Sequence, residues 1–195
     1  MKPELVLLAG PNGAGKSTFY EAHLQNTALP FLNSDVVAKE LGVTDYEASR
    51  ALDALRLFYI ERRISFISET VFSDPVGAKV AMLREAMETG FHVRLLYIGV
   101  ESPLLAQARV SHRVDNGGHS VPTDKIVSRF PRSLANLAQA VQFVSSAELF
   151  DNSDARNPHR LIARFQAGIL KWKTGDAIPD WAKPFLKCPS LEGKK

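Results

Sequence analysis

Residues 5–18, LVLLAGPNGAGKST, constrain this chain more than any other stretch. An apolar run suited to a buried parallel strand (Leu5, Val6, Leu7, Leu8) stops at Gly10. The chain then turns through PNGAG and enters a helix at Lys16, in the pattern GxxxxGK[ST]. Glycines at 10, 13 and 15 let successive backbone amides turn inward without a Cβ in the way. Such a loop, closed by a helix N-terminus, surrounds a phosphate. The expected nucleotide-binding set is therefore Gly10, Pro11, Asn12, Gly13, Ala14, Gly15, Lys16, Ser17 and Thr18. Lys16 is expected to reach the β and γ oxygens, Ser17 to hold Mg²⁺, and Thr18 to face the α-phosphate.

At 195 residues and 45% hydrophobic, the chain has enough apolar material for one core. One domain is expected over residues 1–186, with a tail at 187–195. The net charge of +3 suits a phosphate-rich ligand, and no block of lysine and arginine with interleaved aromatics argues for nucleic acid. No apolar run is long enough for a signal sequence or membrane span, and the one cysteine, Cys188, excludes an internal disulfide. A cytoplasmic protein is expected.

Along the chain, Pro30 introduces a short strand, Phe31-Leu32-Asn33, that delivers Ser34 and Asp35 at its end. In open α/β sheets ligands gather where strands end, so Asp35 is a candidate site residue, although Ser34 or Asp35 could cap the next helix. Thr44 is expected to cap an amphipathic helix running to about Arg63. A strand at residues 64–68 follows and also ends in an acid, Glu69, with Thr70 beside it. Two strands thus place carboxylates at the edge that carries the phosphate loop.

Ser73, Asp74 and Pro75 are expected to open a helix that Gly90 closes. The apolar strand at residues 92–100 ends at Glu101, which either contacts a metal or precedes a helix begun by Ser102 and Pro103. From about 103 to 133, Arg109, His112, Arg113, Arg129 and Arg132 flank the turn NGGHSVP at residues 116–122. Helix, glycine-rich turn and helix with cations on both sides describe a lid that closes over a nucleotide and supplies charge to the transferring group. Pro131 predicts a helix start or a kink. Strands are expected at 147–151 and 159–165, the loop Asn152-Ser153-Asp154 could flank a base, and Trp181 and Phe185 are expected on the core.

The predicted fold is a doubly wound, mostly parallel three-layer α/β sheet of about five or six strands with a helical lid, as in P-loop kinases. Phosphoryl transfer needs an acceptor oxygen held in line, a base for its proton and cations for the spreading charge. Asp35, Glu69 and the lid arginines supply these. A transport-type ATPase would need an LSGG helix and a GTPase an NKxD motif, and neither is present. A nucleotide-binding regulator without turnover, or an ATPase with no small-molecule acceptor, stays open at this point.

FLNSDVVAKEL, SFISETVFS and RVDNGGHSVPTDKIVSRFPRSLANL, together with the P-loop, resemble the zeta-toxin family of P-loop kinases in its short, stand-alone bacterial form. The resemblance runs over residues 5–165. It implies ATP, with GTP as the other nucleotide considered, and Mg²⁺. The implied acceptor is a small molecule, in that family the 3′-hydroxyl of UDP-N-acetylglucosamine, with a nucleotide, NAD, a polynucleotide end or an antibiotic, the acceptors of related P-loop kinases, as the alternatives, and the implied partner is a small antitoxin. It further implies that Lys16 binds phosphate, that Asp35 is the acceptor's base, and that Glu69, Thr70 and His119 bind the acceptor. Arg113, Arg129 and Arg132 are the implied catalytic cations, with the one that meets the γ-phosphate left open.

Overall fold

The computed structural model describes residues 2–115 and 120–186. His119 and the tail beyond residue 186 lie outside the described residues. The strands are β1 (Glu4–Ala9), β2 (Phe31–Leu32), β3 (Phe66–Thr70), β4 (His92–Gly99), β5 (Ser146–Asp151), β6 (Arg160–Gln166) and β7 (Ile169–Lys173). They form one sheet in the order β2-β3-β1-β4-β5-β6-β7. The first five of these neighbours pair in parallel, with Leu8 opposite both Glu69 and Leu96. Strands β6 and β7 continue antiparallel.

Seven strands correct the expected five or six. The addition is β7, ILKWK, joined to β6 by a tight turn in which Ala167 and Gly168 both have positive φ. Nearly all of β7 is exposed, so it shows no buried run to announce it. Strand β3 also begins two residues later than expected, which places Glu69 and Thr70 inside the strand. The cause is Ser68, fully buried and bonded to Arg56, a polar interior position that reads as a strand end.

Alternation along the central strands sends side chains to two cores. Leu5, Leu7, Leu95 and Tyr97 belong to one cluster, and Val6, Leu8, Leu96 and Ile98 to the other. The first is covered by α3 (Asp45–Glu61) and α4 (Ala78–Glu88), through Leu52, Ile60, Val80 and Leu83. The second is covered by α1 (Lys16–His23) and α5 (Pro103–Asp115), through Phe19, Ala106 and Val110. A capping box between Thr44 and Glu47 starts α3, as expected. Trp181 is buried and Phe185 packs at the rim of the core.

Helix α6 (Thr123–Ala140) touches both cores, Ile126 and Phe130 one, Leu137 and Ala140 the other. It crosses the carboxyl edge of the sheet, where Ser133 Oγ donates to the Val71 carbonyl at 2.9 Å and Asn136 Nδ2 to that of Phe72 at 3.1 Å. Pro131 neither starts nor ends α6; the helix begins after Pro122 and continues past residue 133 to Ala140.

Candidate active site

The carboxyl edge of β1, β2 and β3 opens into a cleft of about 1020 Å³. On one side stands the loop between β1 and α1. Gly13 and Gly15 have φ of 73° and 88°, and a Cβ at Gly13 would lie 2.4 Å from the Ala106 carbonyl oxygen. Residues other than glycine are therefore excluded there by backbone and by space together. Asn12, Gly13, Gly15, Lys16, Ser17 and Thr18 line the cleft. Gly10, Pro11 and Ala14 are buried behind it.

Lys16 is 7% exposed, and its Nζ donates to the Pro11 carbonyl at 3.1 Å and stands 3.9 Å from Glu69 Oε1. Burial pulls the Lys16 ammonium below its ordinary value, against the attraction of Glu69 and Asp35, and the Arg113 charge pulls it the same way. Glu69 is pushed up, first by burial, with Lys16 opposing. The two groups share one low-dielectric corner.

Asn33 organises that corner, and nothing in the sequence singled it out. It is the N-cap of α2 (Ser34–Leu41): its Oδ1 accepts from the Asp35 amide at 2.8 Å and the Val36 amide at 3.2 Å. Its Nδ2 donates to Glu69 Oε2 at 2.8 Å. Ser34 and Asp35 are thus not the cap, and the Asp35 side chain is exposed to the cleft. Ser17 Oγ donates to the same Glu69 oxygen at 3.5 Å. One asparagine holds the backbone of one candidate carboxylate and the side chain of the other.

A second asparagine braces the phosphate loop from behind. Asn152, just past β5, donates from Nδ2 to the Ala14 carbonyl at 2.8 Å and accepts at Oδ1 from the His159 amide at 3.2 Å. The position expected to flank a base anchors the loop and also lines the cleft. His159 packs edge-on to Phe19, with ring centroids 5.1 Å apart.

Arg109, His112 and Arg113 from α5, and Arg129 and Arg132 from α6, line the opposite wall. Arg109 donates to the Ser153 carbonyl at 3.3 Å, and Arg132 Nε is buried without a hydrogen-bond partner among the described residues. Glu101 is exposed and lies outside the cleft, which leaves it as the acid ahead of α5. Thr70 lines the cleft, and its Oγ1 accepts from the Phe72 amide at 3.1 Å. Further in, Ser49, Asp53, Arg56, Asp74 and Lys79 extend the cleft, and sequence reasoning missed all of them as site residues.

The stretch that builds this site, a glycine loop before a helix that starts with a buried lysine and an exposed hydroxyl, lies within a match to a family model of AAA domains, AAA_33, over residues 5–139. The chain belongs to that family. A relative of this chain is an uncharacterized protein of Haemophilus influenzae, 30% identical over 135 residues, which are 67% of this chain and 94% of that one. Among solved structures, the AvrRxo1-ORF1:AvrRxo1-ORF2 complex with sulphate ions aligns at TM-score 0.62 and 14% identity, over 100% of this chain and 66% of that chain. This AAA domain thus spans just under two thirds of that chain's length. The same complex has been solved with ATP, with TM-score 0.57 and 16% identity over 99% of this chain and 66% of that chain. The PezAT chromosomal toxin-antitoxin system of Streptococcus pneumoniae gives 0.61 at 13% identity, covering 84% and 72%. A kinase-named structure from Chloroflexus aurantiacus gives 0.51 at 20%, covering 67% and 80%. The shared property is the fold, that of P-loop kinases.

Among the described residues no helix is long and apolar enough to cross a membrane, and no group of three or more His, Cys, Asp or Glu side chains could by itself hold a metal.

Proposed function

We propose that this chain is an ATP- and Mg²⁺-dependent phosphotransferase that acts on an alcohol group of a small molecule, as a zeta-toxin-like kinase. The observation that carries the reading is the corner held by Asn33, where Asp35 and Glu69 stand beside Lys16 at the mouth of the phosphate loop. An acceptor hydroxyl attacks the γ-phosphorus in line. A new bond forms between the acceptor oxygen and phosphorus, the bond from phosphorus to the β,γ-bridging oxygen breaks, the proton goes to Asp35, and ADP leaves. Lys16 and the cations of α5 and α6, Arg113, Arg129 and Arg132, balance the charge on the transferring group. Ser17 would hold Mg²⁺ together with nucleotide oxygens, the pattern a small hard cation prefers, and Glu69, which accepts from the Ser17 hydroxyl, would position a second hydroxyl or a water on it. Bound there, Mg²⁺ supplies neutralisation of the β and γ oxygens.

Support for ATP comes from the fold's occurrence with that nucleotide in the AvrRxo1 complex. Support for a small antitoxin partner comes from the PezAT system, and a UDP-N-acetyl amino sugar is the acceptor that the zeta-toxin resemblance names. Glu69, Thr70 and His119 are proposed on the acceptor. The test separates two roles. Lys16→Ala should abolish both ATP binding by calorimetry and phosphoryl transfer, whereas Asp35→Ala should abolish transfer and leave ATP binding within about twofold. Full activity in Asp35→Ala would remove Asp35 as base.

A further inference from the structure

Beyond Asp35 and Glu69 the cleft is bounded by α3 and α4, and a carboxylate and an ammonium meet there. Asp53, from α3, and Lys79, from the first turn of α4, both line the cleft. Lys79 Nζ donates to Asp53 Oδ1, and Arg56 Nη1 donates to the same oxygen at 2.6 Å. Arg56 is 4% exposed and ties that oxygen to β3: its Nε donates to Ser68 Oγ at 2.7 Å and its Nη2 to the Glu69 carbonyl at 3.1 Å. The guanidinium therefore holds Asp53 in register with the backbone of Glu69. Asp53 Oδ2 accepts from no group among the described residues, and the side chain is 47% exposed. Lys79 donates through Nζ to Asp53 alone among the described residues, so its ammonium keeps N–H groups for a ligand. The pair presents an open acceptor atom beside open donors.

A hydroxyl suits such a pair, because it is donor and acceptor at once. One hydroxyl donates to the Asp53 carboxylate while its neighbour accepts from the Lys79 ammonium, and both bonds are charge-assisted. Single ions suit it less: a ligand ammonium at Asp53 meets the Lys79 charge, and a phosphate at Lys79 meets the open Asp53 oxygen. Phosphates elsewhere on an acceptor lie outside the pair, and a cleft of about 1020 Å³ has room for them beside Arg129 and Arg132. We infer that the Asp53–Lys79 pair is a subsite for two neighbouring hydroxyls of the acceptor, next to the one that attacks. The substrate class is then a sugar, free or nucleotide-linked, or the ribose of a nucleoside. The inference rests on the kinase reading for the transfer itself, while the hydroxyl preference stands on the pair. Asp53 and Lys79 bind and orient the acceptor; the proton goes to Asp35.

The test compares acceptors with the same molecules lacking one hydroxyl: UDP-N-acetylglucosamine and glucose with their 4-deoxy and 6-deoxy analogues, and adenosine with its 2′-deoxy and 3′-deoxy analogues. Affinity for the whole chain, saturated with ADP and Mg²⁺, is measured by calorimetry, and transfer by label from γ-labelled ATP. At least one parent compound should bind, and removal of a paired hydroxyl should weaken it about tenfold, the loss expected for a hydrogen bond to a charged group. In Asp53→Asn the ratio between parent and deoxy compound should fall to about one for the hydroxyl that Asp53 accepts from, with the ATP KM changed less than about twofold. A merely structural role would weaken both compounds alike and keep the ratio. Lys79→Met removes the ammonium, leaves Asp53 paired with Arg56 and should abolish the ratio for the other hydroxyl, which keeps the test decisive where Asp53→Asn fails to fold. No binding of any parent compound, deoxy analogues bound as well as their parents, or ratios unmoved in both variants would overturn the subsite. Binding with the expected ratios but no label on any acceptor would refute the kinase reading and leave the subsite standing. Label on an acceptor whose deoxy analogues bind equally would do the reverse.

Discussion

At the scale of single residues, the account depends on two asparagines whose value lies in joining elements distant in sequence. Asn33 caps α2 and fixes Glu69 with the other end of the same amide. Loss of a cap costs about 1 kcal/mol. Asn33→Ala should therefore lower Tm modestly but reduce kcat/KM by far more than that cost implies, which thermal melts beside transfer kinetics would check; Asn33→Asp should keep the cap and still lose activity, because it sets a second carboxylate against Glu69. Asn152 carries its two contacts to Ala14 and His159. Asn152→Ala should raise the ATP KM with little change in the acceptor KM, a split that general destabilisation would not produce. Burial holds the His159 imidazole below its ordinary value, with His23 and Arg109 adding to the effect. The unfolded chain then binds a proton first as pH falls, so the stability this residue contributes is present above the ordinary histidine range and is lost as pH drops through the folded-state value. Between about pH 7.5 and 5.5 the fall in Tm should be smaller in His159→Gln than in the parent chain.

Among the elements, α6 ties two cleft cations to the sheet. Its polar residues Ser133 and Asn136 grip the carbonyls of Val71 and Phe72, just beyond Glu69 and Thr70, so the helix that carries Arg129 and Arg132 is registered against the strand that carries Glu69. Arg129→Ala should lower kcat more than nucleotide affinity; equal losses in both would assign it to ground-state binding. Helix α3 has a different double duty, core on one face and cleft on another. Leu52 is 1% exposed in the core, and Leu52→Ala should cost about 2–5 kcal/mol by chemical denaturation. Much at this scale was legible in advance. The phosphate loop, the α3 cap and the acids closing β3 and opening α2 are local patterns, each written in a few consecutive residues. Asn33, Asp53, Arg56 and Lys79 were not, because their roles arise from pairing across the fold: Arg56 is a charged residue buried between Leu52 and Ile60, and only Ser68, Asp53 and the Glu69 carbonyl explain it. Strand β7 escaped for the opposite reason, being exposed along nearly all its length and recognisable only by its partner β6.

For the whole molecule, a mostly parallel sheet with two cores puts the ends of β1, β2 and β3 on one edge, and the cleft follows from that topology. The central claim is that this edge moves a phosphoryl group to an acceptor hydroxyl with Asp35 as base. The measurement that tests it most directly is transfer of label from γ-labelled ATP with Mg²⁺ to a panel of sugars, UDP-sugars, nucleosides, NAD and oligonucleotides, run beside the Asp35→Ala protein. The account predicts label on one small-molecule acceptor, lost in Asp35→Ala. Label released only as free phosphate, at the same rate with and without Asp35, would contradict it.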